Sequence, residues 1–327
     1  MKLQSLIEEL ENQKPQKWDK KISSSELKMI PSDSRVRLQT GEDSLFSISD
    51  PCHTQIAEKL EIPLKYYHKM ESEAPELLAE NVNTWLARNE KEFFIRGLGD
   101  NVRAFLSDRY RVIDHLDVLL CALNELQAHD AEIEDCYLSE IEMNIKIKSA
   151  KLRDFVRHKD DLIMGGLFLT NSETGHKALR LEPRLFRVKC SNGMIVEELV
   201  IREIHLGNGD EVDDEIFYLL LRRSIQGLFN GFGEIVNILR ESTEIKVRNP
   251  QKVISNVADH YKLSETQKAN ILMAFGAEPE YDKYGIANAL TLAAQKEETW
   301  EKSVEMERIG GRLITLPVED FKALDEP

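Results

Sequence analysis

The chain has 327 residues, 42% of them hydrophobic, enough to bury a substantial core as one large domain with an appendage or as two domains. Its 58 Asp and Glu outnumber 43 Lys and Arg, for a formal net charge of −15. Repulsion at that charge argues against a protein that coats DNA or a membrane surface, and leaves a local basic patch as the route to an anionic partner.

Residues 1–50 read as a polar, Ser-rich and weakly patterned segment after a short helix over Leu3–Leu10; MKLQSLIEELENQK has no apolar stretch of the signal-peptide kind. In CHTQIAEKLEIPLKYYHKM, Ile56, Ala57 and Leu60 mark a helix, a turn precedes Pro63, and a second helix carries Tyr66 and Tyr67. The pair is superficially a DNA-reading helix-turn-helix. However, Glu61 occupies a turn position that favours Gly, and the second helix has little positive charge, so a packed helical hairpin is the preferred reading.

From Glu92 the period shortens. EFFIRGLGDNVRAFLS reads as two strands joined around Gly97, Gly99, Asp100 and Asn101. A helix follows in HLDVLLCALNELQ, with Asp114 as its expected N-cap. Next, CYLSEIEMNIKIKS alternates, with Met143, Ile145 and Ile147 on one face and Asn144, Lys146 and Lys148 on the other. The stretch from Leu162 to Gly207 continues the sheet. In RLFRVKCSNGMIV, Arg184, Phe186, Val188 and Cys190 share a face, Leu185, Arg187 and Lys189 the other, and Asn192-Gly193 signals a hairpin turn.

From about residue 214 the pattern is helical, with Ser264 an N-cap and Pro250 a break before it. IFYLLLRRSIQGLFNGFGEIVNIL is interrupted by Arg222 and Arg223 and reads as a buried amphipathic helix rather than a membrane span, so a soluble, cytoplasmic protein without a membrane partner is expected. The element order predicts an α+β fold: a curved antiparallel sheet of hairpins with packed helices, then a mainly helical C-terminal region. The expected divisions are 1–50, 51–213 and 214–327.

Between Ile145 and Cys190 eleven Lys or Arg (146, 148, 151, 153, 157, 159, 177, 180, 184, 187 and 189) face five acids (154, 160, 161, 173 and 182). A basic sheet in an acidic chain is a candidate anion-binding surface; a solvated strand face whose lysines discourage edge pairing is the competing reading. Phe155, Phe168 and Phe186 are interleaved with the bases and could stack nucleobases or fill a core. The spacing leaves both pairs of readings open.

Enzymatic alternatives have thinner support. There is no phosphate-binding G-x-x-x-x-G-K-[ST] loop, and GLGDN lacks the third glycine of a dinucleotide loop. Cys52, Cys121, Cys136 and Cys190 have no zinc-ligand spacing, and a nucleophilic Cys190 would need an activating neighbour. DRYRVIDHLD offers Asp108, Asp114, His115 and Asp117 to a metal, although carboxylates at helix starts commonly cap. GNGDEVDDE reads as an exposed acidic loop. No catalytic residue, metal or other cofactor is expected.

Five segments together resemble the phage- and plasmid-associated DUF932 family, a domain of unknown function: AEKLEIPLKYYHKM, VRAFLSDRYRVIDHLDVL, GLFLTNSETGHKAL, KCSNGM and YGIANALTLAAQ, spanning about residues 53–295. Membership implies a mobile-element setting. The chain is also distantly similar to Rad52-like single-strand annealing proteins, which implies a sheet and helix around a basic groove and a homo-oligomer or ring. With the basic sheet, this gives the expected function: ATP-independent single-stranded DNA binding or annealing in recombination or replication. Lys146, Lys148, Lys151, Arg153, Arg157, Arg187 and Lys189 would meet phosphates, with Arg96, Arg103 and Arg109 a second group. The alternatives are a protein-interaction or regulatory module built on the acidic helical half, and a metal-dependent nuclease using Asp108, Asp114 and His115.

Overall fold

The computed structural model describes residues 1–32, 35–41, 44–88, 90–157, 160–196, 201–203 and 214–325. It is α+β, with a curled antiparallel sheet and a helical carboxyl-terminal region, as the element order predicts. Two sheets, each with its own helical cover, are joined through a buried polar loop.

Residues 1–50 open with the expected helix, α1 (Leu3–Gln13), but the rest, read from sequence as a weakly patterned polar segment, supplies four strands, β1 (Lys17–Ser23), β2 (Leu27–Pro31), β3 (Val36–Thr40) and β4 (Leu45–Ile48). The strands are so short that their alternation does not stand out: in VRLQT only Val36, Leu38 and Thr40 turn inward. Three helices follow, α2 (Asp50–Lys59), α3 (Leu64–Glu73) and α4 (Pro75–Arg88), then the hairpin β5 (Glu92–Leu98) and β6 (Asn101–Ser107). The first sheet has the order β1-β5-β6-β4-β3-β2, antiparallel except between β4 and β6. The helices cover it by burying Ile56, Tyr67, Leu78 and Val82 against Phe93, Ile95 and Phe105.

The α2–α3 turn places Glu61 itself in the left-handed region, at φ 55°. A non-glycine residue held there costs about 1–2 kcal/mol. Glu61→Gly is therefore expected to raise stability by about 0.5–1 kcal/mol after its larger unfolded-state entropy is counted. Urea denaturation would show this as a higher midpoint at unchanged slope.

The second half begins with α5 (His115–Ala128), followed by β7 (Ala131–Leu138), β8 (Met143–Phe155), β9 (Leu162–Asn171), β10 (Leu179–Arg187), β11 (Asn192–Ile195) and β12 (Ile201–Glu203). The antiparallel order is β11-β10-β9-β8-β7, with β12 also pairing with β10. Asn192-Gly193 does not form the turn. The loop is Val188–Ser191, with Ser191 at φ 54°, and Asn192 already pairs with Arg187. Gly193 sits in the strand opposite Phe186, where a Cβ would strike the Arg184 guanidinium; a close approach rather than a turn requires the glycine.

The remaining helices are α6 (Asp214–Asn230), α7 (Phe232–Glu244), α8 (Pro250–His260), α9 (Glu265–Ala277), α10 (Lys283–Ala293), α11 (Trp300–Thr315) and α12 (Val318–Ala323). The greasy run read as one buried helix is two, α6 and α7, divided at Gly231, and α6 buries only the Phe217, Leu221, Ile225 and Phe229 stripe. Ser264 caps α9 in a reciprocal box with Gln267, and Pro250 opens α8. Among the described residues no helix is long and apolar enough to cross a membrane. Most of the GNGDEVDDE stretch, and Lys159, lie outside the described residues.

Candidate nucleic-acid interface

Alternation gives the second sheet two unlike faces. Met143, Ile145 and Ile147 of β8 and Leu167 and Leu169 of β9 point into the core formed with α1, α5 and α6. Further along the same face, Ile163, Leu185 and Met194 pack into the core shared with α7 to α11. The opposite face carries Asn144, Lys146, Lys148, Phe168, Arg184 and Phe186, and α11 crosses only part of it.

Under α11 the bases are spent inside the protein. Glu307 accepts from Lys146 Nζ at 2.8 Å and from Arg184 Nε at 3.3 Å, and all three residues are buried. Burial alone would raise the Glu307 carboxyl; Arg184 and Lys146 outweigh it and hold it below the usual range. Glu134 also accepts from Arg184. Buried Glu182 pairs with both Arg308 and Arg180. Phe168 is fully buried beneath α11 with the Arg308 guanidinium 5.3 Å from its ring centroid, so it belongs to the core.

Beyond α11 the face is open. The register aligns Arg153, Met164, Phe186 and Gly193 on one rung; the next runs from Lys148 and Gly166 at the open part to Arg184 and Ile195, which are buried at the α11 side. A third rung pairs Phe155 with Leu162, whose carbonyl accepts from the Val188 N–H. On β9, exposure alternates through Ile163 to Gly166: Leu162, Met164 and Gly166 are half-buried while Ile163 and Gly165 are buried. Phe155 and Val188 are 39% and 38% exposed, well above what core strand residues show. Lys148 Nζ lies 5.5 Å from the centroid of the half-buried Phe186 ring and also pairs with Glu132 at 3.1 Å. Arg153 is exposed and forms no ion pair among the described residues. The result is an apolar and aromatic platform with cations at its margin.

The ten bases singled out from sequence therefore do not converge on one face. Lys148 and Arg153 meet at the platform, and Lys189, exposed on the β10–β11 loop, pairs with Glu278 at 3.2 Å. Lys151 is exposed and pairs with Asp130, and Arg109 is exposed on the loop before α5. Lys146 is under α11. Arg187 is buried among Asp161, Glu280 and Glu278 at 2.6, 2.9 and 3.1 Å, and Arg157 pairs with Asp282 and Glu280. Cys190 beside them donates to Glu278, and burial, reinforced by that carboxylate, pushes its thiol up to about 11, unsuited to a nucleophile.

Arg96 and Arg103 lie at the junction of the two sheets, where the loop after β9 is buried through Ser172, Glu173 and Thr174. Glu173 accepts from Lys17 at 2.5 Å, from Arg103 at 3.3 Å and from the His115 backbone N–H at 2.7 Å. Asp114 precedes α5 but its side chain makes no cap; Glu173 supplies the cap from across the junction, while Asp114 pairs with Arg96 and Lys17. Arg96 also pairs with Asp19 and donates to the Glu173 carbonyl. These contacts also separate the residues of the nuclease reading: the His115 ring faces Asn171, Asp114 faces cations, and Asp108 is exposed. Among the described residues no three His, Cys, Asp or Glu side chains are placed to hold a metal ion.

A family model described as a domain of unknown function, DUF932, matches residues 103–304. The chain belongs to the DUF932 family. No curated protein and no solved structure matches it. The DUF932 match runs from within β6 into α11 and contains the whole platform. Two features of this DUF932 domain are hidden in the sequence. Besides Asp161 and Glu182, the acids that neutralise its bases include Glu132, Glu134, Glu278, Glu280 and Glu307, which lie outside the basic window. The apolar run LIMGGLFL also gives no sign that Leu162 and Met164 are half-open.

Proposed function

We propose that the chain binds single-stranded DNA, without ATP, on the open half of its second sheet, as a step in annealing or recombination. The observation that carries this reading is the exposed Phe155 and half-buried Phe186 on adjoining rungs of one open sheet face, with Lys148 over the Phe186 ring and Arg153 beside it. Aromatic rings on a sheet offer each base a π-face whatever its identity, worth about 1–3 kcal/mol per stacked base. A base held by its face keeps its pairing edge available for a complementary strand. Lys148, Arg153 and Lys189 reach at most three phosphates, and the chain's overall charge of −15 opposes the approach, so binding is weak and salt-sensitive.

Fluorescence anisotropy with a labelled single-stranded oligonucleotide tests this. The slope of log affinity against log salt should be about −2, from about −0.7 per phosphate. Phe186→Ala should weaken binding about tenfold or more, and Lys148→Glu with Arg153→Glu should abolish it, at unchanged circular dichroism. Absence of binding at low salt, or binding that survives the double charge reversal, would remove the platform as the contact surface.

A further inference from the structure

α5 and α6 pack side by side, and their outer surfaces form a cleft of about 790 Å³. Among the polar residues Asp117, Asn124, Glu215 and Arg222 that line it stand large exposed apolar side chains: Leu120 of α5 is 48% exposed and Ile216 and Leu219 of α6 are 50% and 46%, with Leu220, 42% exposed, beside the cleft on the same helix face. On α6 these residues follow i, i+3, i+4 spacing and lie opposite the Phe217, Leu221, Ile225 and Phe229 stripe that holds the helix to the core. A helix apolar on both sides, with one side open, has an unfilled partner position.

The charges on the cleft identify the partner. Glu215 and Arg222 both line it, and they stand seven residues apart, two helical turns, on the same flank of α6. If a second α6 ran parallel to the first, Glu215 would oppose Glu215. In an antiparallel pair related by a two-fold axis beside Leu219, Glu215 of each copy faces Arg222 of the other, and Leu219, Ile216 and Leu220 are buried between them. The same patch complements itself, which is the requirement of an isologous contact.

We infer that α6 is a dimerisation helix and that two copies of the chain associate through it, antiparallel. Such a contact closes on itself and produces a dimer, not a ring. It is independent of nucleic-acid binding, because the platform lies on the sheet face away from α6.

Light scattering coupled to size exclusion, with a dilution series by analytical ultracentrifugation, is the test for the full chain. Wild type should have twice the chain mass. Leu219→Glu, a change at an exposed position, should give a monomer with unchanged circular dichroism. Glu215→Arg alone should weaken association about tenfold, and adding Arg222→Glu should restore it to within about threefold of wild type. A monomer across the dilution series would overturn the inference, as would a dimer that persists in Leu219→Glu. Additive rather than compensating charge changes would overturn the antiparallel pairing.

Discussion

Glu173→Gln is expected to destabilise the fold by about 3–5 kcal/mol, a large fraction of the total stability of an ordinary domain. The amide can still accept from the His115 N–H, but it leaves Lys17 and buried Arg103 without their shared carboxylate. Glu173→Ala also removes the cap of α5, for about a further 1 kcal/mol. Urea denaturation at pH 7 checks both. A Glu173→Gln midpoint indistinguishable from wild type would mean that the junction tolerates unpaired cations.

The same junction gives an acid response with a defined direction. Burial holds the His115 ring neutral down to about pH 4, whereas an unfolded His takes its proton near 6.5. The unfolded chain therefore binds more protons between those values, and stability falls as pH drops through that window, by about 3 kcal/mol from this group. Burial would raise the Glu173 carboxyl, but His115 and Lys17 hold it at about 2 against an ordinary 4.5, so its contribution is present above pH 4.5 and lost as pH falls towards 2. Denaturation midpoints at pH 7, 5 and 4 should decline steadily, and His115→Asn should flatten the part above pH 4.

Glu307→Gln is the second large effect, again about 3–5 kcal/mol. Arg184 keeps Glu134, but Lys146 loses its only carboxylate among the described residues while remaining buried with its ammonium 4.6 Å from the Trp300 ring centroid. Lys146→Met in the same background should recover most of the loss, because removing the stranded cation with its partner leaves no uncompensated charge. Trp300 gives a local fluorescence signal beside the global midpoint. A loss below about 0.5 kcal/mol, typical of surface substitutions, would show that Lys146 escapes to water.

Local chemistry was legible where one residue decides it. The Ser264 box, the Gly99-Asp100 hairpin and the alternation of Met143 to Lys148 are all present because their causes are contained within a few residues. The α+β class followed from the order of periods. The bases of the second sheet were legible as a cluster but not as a surface. Whether Lys146 faces water or Glu307 depends on a helix 161 residues further on. Asp114 shows the same limit: a carboxylate just before a helix is a cap by local rules, yet a buried glutamate 58 residues away from His115 takes the cap, freeing Asp114 to pair with Arg96. The platform was half legible, through Phe155, Phe186, Lys148 and Arg153, but only the register shows that they share the open end of a face that α11 covers elsewhere.

Ion pairs cross both ends of the matched family region: Glu173, inside it, pairs with Lys17, and Glu307, just past it, pairs with Lys146 and Arg184. Lys17 and Arg96 precede residue 103, and Glu307 and Arg308 follow residue 304. The stretch that sequence comparison detects is therefore smaller than the unit that folds. A shuffled or transplanted copy bounded at 103 and 304 would leave buried Lys146 without Glu307 and buried Glu173 without Lys17, so inheritance of this module is constrained to the longer span, flanks included.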